Sequence, residues 1–105
     1  ANSDQRSKLH LAAVWVNNFT NHISFIAKDY LDSQNLEFED LIPLLQETIK
    51  KIEDNSPFLS QTGPARRGDN QTIEQHIKML PEDRQKIYKE ISESIIKTYS
   101  KNDEL

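Results

Sequence analysis

The chain has 105 residues, a formal net charge of −4 and no cysteine, which excludes disulfides and thiolate chemistry and leaves no basic face to neutralise nucleic-acid phosphates. Hydrophobic residues make up 35% of the chain and charged residues 29%, and the mean hydropathy is −0.76; this reads as one domain, 1–105, with little core of its own and apolar surface to place against a partner. No apolar run approaches the roughly 20 residues of a membrane span, and the opening ANSDQRSK carries no signal core, so the expectation is a cytoplasmic protein without membrane contact.

The opening lacks an initiator Met and reads as the start of a piece of something longer. From Asp4 to about Ser33, Leu9, Ala12, Ala13, Val16, Phe19, Ile23, Ile26, Ala27, Tyr30 and Leu31 recur at three- and four-residue steps, which predicts one long amphipathic helix. A second helix is predicted from about Phe38 to Ile52, with Pro43 early enough to be tolerated. Asp69 is a candidate N-cap for a short helix holding Ile73, Ile77 and Leu80. Pro81 suits the first residue of a last helix whose buried stripe is Ile87, Ile91, Ile95 and Tyr99. Nothing alternates with period two, so the fold class is all-α, a helical bundle with a long first helix. The end, Asn102-Asp103-Glu104-Leu105, falls one residue short of an endoplasmic-reticulum retrieval signal, and no signal peptide accompanies it.

On a wheel of about 100° per residue, His10, Val14, Asn17, Asn21, Ser24 and Lys28 form one line opposite the apolar arc of the first helix. Asparagine costs helix propensity, so a stripe of amides and an imidazole either contacts a neutral or anionic ligand or is a solvated face. Leu11 and Phe25 lie beside this stripe, off the apolar arc, where a docked partner would cover them. His22 and His76 add no metal-ligand spacing, so no metal is expected. Trp15 reads as core or interface.

The loop SQTGPARRGDNQT, Ser60 to Thr72, contains both glycines of the chain. The Gly63-Pro64 pair forces a turn, and Gly68 lets the chain swing into the helix capped by Asp69. Arg66 and Arg67 are then presented on a rigid support beside Thr62, suited to a carboxylate or phosphate or, equally, to surface acids around a well-made turn. Arg67-Gly68-Asp69 spells an adhesion tripeptide, but no secretory feature supports that reading.

The run LHLAAVWVNNFTNHISFIAKDYL, then PLLQETIKK, then QTGPARRGDNQTIEQHIKML, resembles the helical domain of unknown function that follows a Rossmann-like NADP-binding domain in bacterial proteins labelled as deazaflavin-dependent NADP oxidoreductase relatives. The resemblance extends from about Leu9 to Tyr99. Similar helical domains close the 6-phosphogluconate dehydrogenase, 3-hydroxyisobutyrate dehydrogenase and pyrroline-5-carboxylate reductase relatives, so the resemblance implies a 6-phosphogluconate dehydrogenase C-terminal-domain-like bundle that forms a homodimer. The cofactor domain would lie outside this chain, with no cofactor held here and NADP bound by the parent. Counting back from the turn at Asn35 to the place of the catalytic lysine in the hydroxyacid dehydrogenases lands on His10. The lysine and the Asn-Asn that follows it there are replaced by His10, Ala13 and Val14, so the lysine chemistry does not carry over, although a histidine can relay a proton near neutral pH.

Two functions follow. In one, the chain is the substrate-binding and dimerisation half of an NAD(P)-dependent oxidoreductase, with His10 as the candidate catalytic residue and Asn17, Asn21, Thr62, Arg66 and Arg67 as contacts to a small anionic substrate. In the other it is a non-catalytic helical interaction module of a nucleotide-binding or sensing protein. No residue reads as a deazaflavin site, and without a strand or a G-x-G-x-x-G turn the chain alone is expected to have no nucleotide affinity.

Overall fold

In the computed structural model, which describes residues 2–103, every regular element is helical and no strand occurs among the described residues. The all-α class is the one that the lack of period-two alternation predicts. Glu104 and Leu105, on which the comparison with a retrieval signal turns, lie outside the described residues. The chain divides into two compact units, Ala1–Leu45 and Gln46–Leu105.

The first unit begins with α1, Ser3–Ala13, whose Asn2 cap accepts the Gln5 N–H at 2.8 Å while the Gln5 side chain accepts the Asn2 N–H at 3.2 Å. This reciprocal box satisfies two donors that a helix start otherwise leaves open. The predicted long helix continues, but its middle, Val14–Phe19, is wound as a π turn before α2 resumes over Thr20–Ser33. VWVNNF places two β-branched and two aromatic side chains, which crowd the preceding turn of an α-helix, beside two asparagines of low helix propensity; a wider turn relieves that crowding. Asn35, at φ 58°, ends α2, with the Leu36 N–H reaching Leu31 O at 2.9 Å and the Asn35 N–H reaching Asp32 O at 3.3 Å, a left-handed stop that asparagine tolerates. A 3-10 turn, Phe38–Leu41, packs against α2 and leads into α3, Ile42–Asp54, with Pro43 in its first turn as expected. None of the described residues of this first unit is buried.

The second unit takes the rest of α3 and then α4, Pro57–Ser60, α5, Pro64–Arg67, α6, Asn70–Met79, and α7, Glu82–Asp103. Ser56 caps α4 by accepting the Leu59 N–H at 3.1 Å. Between α6 and α7 the Gln85 amide donates to Ile77 O at 2.9 Å and Leu80 O at 3.1 Å, satisfying carbonyls that the end of α6 leaves open. Pro81 stands just before α7 rather than inside it and accepts from the Arg84 N–H at 2.9 Å. Of the expected α7 stripe, Tyr99 is buried and Ile87 and Ile95 are half-buried, while Ile91 is exposed and the neighbouring Ser92 is buried in its stead.

Candidate functional site

The loop between α4 and α6 is the most sharply shaped segment of the second unit. Gly63 at φ 104° and Gly68 at φ 70° bracket the single turn of α5, and both lie in the left-handed region that favours glycine. Ala65, between them, is buried. Asp69 caps α6 as expected, accepting from the Thr72 N–H at 3.1 Å and the Thr72 hydroxyl at 2.7 Å. Those two Thr72 hydrogen bonds, aided by Arg67, hold the Asp69 carboxyl below its ordinary value.

The two arginines have different surroundings. Arg66 stacks over the Tyr99 ring with its guanidinium carbon 4.3 Å from the centroid. That ring in turn stacks on Phe58 at 4.7 Å, and the Tyr99 hydroxyl donates to Phe58 O at 2.6 Å. Arg66 therefore closes a small aromatic cluster and is largely committed to it. Arg67 is 60% exposed and reaches Asp69 at 3.4 Å, a long contact that leaves its fork open to solvent. Thr62 is exposed at the loop entrance, its carbonyl accepting from the Gln61 amide at 3.0 Å. The α6 donor that an anion would use is taken by the Asp69 carboxylate.

In the first unit His10, Asn17 and Asn21 are all exposed. The stripe that an unbroken α-helix would make of them is divided by the π turn, since about one extra residue is absorbed there and everything past Phe19 turns by roughly 100° relative to α1. Asn17 sits within the π turn itself. Ser24 bonds back to Thr20 O at 2.9 Å, and Lys28 pairs with Asp32 at 2.8 Å, the hydrogen bond and charge that raise its pKa. The candidate residues thus form two groups, one along the first helix and one in the α5 loop.

Spacing alone did not reveal the cluster of Phe58, Arg66 and Tyr99, because its members are far apart in sequence. A second missed pair is His76 Nδ1 and the Tyr88 hydroxyl, 2.6 Å apart with their rings edge to face. Burial pushes the Tyr88 phenol up, and the tautomer of His76 decides which of the two groups donates. His22 stacks on Phe25 at 6.1 Å. No group of three or more His, Asp or Glu side chains among the described residues is placed to hold a metal ion, and no helix among them is long and apolar enough to cross a membrane.

Residues 1–95 match the family model described as Domain of unknown function (DUF2520). No curated protein matches the chain. Among solved structures it is similar to a provisionally named NADP oxidoreductase from Bacteroides fragilis, with 43% identity and a TM-score of 0.89 over 92% of this chain. The chain spans 38% of the length of that protein.

Proposed function

The chain belongs to the DUF2520 family of domains of unknown function, and from that premise we propose that it is the dimerisation and substrate-binding half of an NADP-dependent oxidoreductase. The observation that carries the proposal is the likeness, at 43% identity across 92% of this chain, to a longer protein with a provisional NADP oxidoreductase name. The part of that protein with no counterpart here leaves room for a Rossmann-like domain, to which we assign NADP. In the same reading the parent is a cytoplasmic homodimer. His10 serves as the proton relay, Asn17 and Asn21 offer amide contacts along the first helix, and Thr62 with Arg66 and Arg67 bounds a small anionic substrate. With Arg66 against Tyr99, the direct ionic contact falls mainly to Arg67.

The test is NADPH oxidation by the full-length protein with imines, keto acids or a deazaflavin as acceptors. Turnover with one acceptor class, and weakening of an anionic ligand by about 1.5–3 kcal/mol in Arg67→Ala, is the expected result. Failure of the full-length protein to bind NADPH would overturn the reading. The commitment of Arg66 to Tyr99 and of the α6 cap to Asp69 favours a second reading, a non-catalytic interaction module. It predicts NADPH binding without turnover, and unchanged ligand affinity in the double arginine variant.

A further inference from the structure

We propose that Arg84, together with the His76–Tyr88 pair beside it, forms an oxyanion-binding site on the α6–α7 hairpin, separate from the α5 loop and suited to a carboxylate or phosphate group. Of the 13 Lys and Arg residues of the chain, only Arg66 and Arg84 are half-buried, and the others are exposed. Arg66 rests on Tyr99. The Arg84 backbone N–H donates to Pro81 O, but its guanidinium makes no hydrogen bond, ion pair or ring contact among the described residues. Withdrawing a guanidinium from water without giving it a partner costs free energy. Arg84 is also the third residue of α7, where the positive end of the helix dipole opposes a cation. Glu82 and Asp83 precede it in the same turn, yet both are exposed and neither pairs with it. Helix stability gives no reason for a half-buried cation there, whereas a bound anion supplies the partner it lacks.

Tyr88 stands one turn farther along α7 and neighbours Arg84, as side chains four apart on a helix do. Its hydroxyl meets His76 Nδ1 at 2.6 Å. In either tautomer this pair keeps one donor to offer. With Nδ1 as acceptor the Nε2–H of His76 is left over, and with Nδ1 as donor the Tyr88 O–H is. The pair ties α6 to α7, and Gln85, next to Arg84, ties them again by donating to Ile77 O and Leu80 O. The guanidinium fork and the remaining donor are thus carried on two helices already fixed against each other, with little freedom to lose on binding. The 10 residues of α6 place about 15 Å of helix between the Arg67 end and Arg84, so one small ligand does not span both. The site goes beyond the proposed function and does not depend on it.

The His76 ring is the reporter for the test. Its NMR resonances in the full-length protein, assigned with His76→Gln, are followed during titration with inorganic phosphate and, separately, with acetate, at constant pH and with ionic strength held by chloride. Saturable shifts are expected, and the anion that saturates earlier identifies the acidic group of the ligand. The affinity should persist in Arg67→Ala and fall about 10-fold or more in Arg84→Gln, the loss that goes with a hydrogen bond to a charged group. It should change less than about 2-fold in Lys89→Gln, which removes an exposed cation of the same helix. His76 resonances that match the wild type before titration show that the hairpin of a variant is intact. If Arg84→Gln disturbs them, Arg84→Lys, which keeps the charge and loses the fork, takes its place with a loss of about 3-fold or more expected. Non-saturating shifts with both anions, or equal losses in Arg84→Gln and Lys89→Gln, overturn the site and leave the proposed function standing. Saturation that disappears in Arg67→Ala and survives in Arg84→Gln also overturns it, by moving the anion to the α5 loop.

Discussion

Ile23 and Ile73 are the same side chain on two amphipathic helices, yet Ile23 is 46% exposed and Ile73 only 8%. The second unit folds α5, α6 and α7 against one another, so Ile73, Ala65, Ser92 and Tyr99 find partners within the chain. The first unit is essentially one long helix with a 3-10 turn laid on its far end, and a lone helix has nothing of its own to bury its upper face against. Amphipathic patterning states that a face is to be covered and leaves open what covers it.

The strongest way to break this contrast is Tyr99→Ala, which removes the Phe58 stack, the hydroxyl bond and the seat of Arg66 together. Urea unfolding should show a loss of about 3–5 kcal/mol. Ile73→Ala should cost about 2–4 kcal/mol, while Ile23→Ala costs less than about 1 kcal/mol within the chain. Any larger loss at Ile23 should grow with protein concentration, because it would come from a contact between copies. Equal, concentration-independent losses at the two isoleucines would erase the distinction between the units.

Smaller effects sharpen the picture inside the second unit. Tyr88→Phe removes the bond to His76 and should lower stability by about 1 kcal/mol, with a matching change in the His76 ring resonances by NMR. Asp69 has its carboxyl pKa lowered in the folded state by the Thr72 hydrogen bonds, so its contribution is present above the ordinary carboxylate range and is lost as pH falls through the lowered folded value. Thermal melts of Asp69→Asn should therefore fall a few degrees below the wild type near neutral pH and converge with it once the pH has dropped below the lowered folded value. A constant gap across that range would show that the cap acts through shape rather than charge.

The local chemistry was legible in the residues themselves. The all-α class, the glycine hinges at Gly63 and Gly68, the Asp69 cap and the place of Pro43 each depend on backbone preferences that a residue carries wherever it sits. The candidate residues were legible as types: an imidazole and amides on one helix, arginines on a rigid loop. Three matters belonged to the tertiary structure. The π turn depends on how neighbouring turns share crowded side chains, and it divides the polar stripe that an ideal wheel draws through His10, Asn17 and Asn21. The burial of Ser92 and the exposure of Ile91 depend on how α7 packs with α5 and α6. The fate of Arg66 depends on Tyr99, distant in sequence and brought under its guanidinium only when α7 folds back along α5. Periodicity and capping act within a few residues, whereas packing selects among the faces they offer, and that selection is made by contacts with no signature in local spacing.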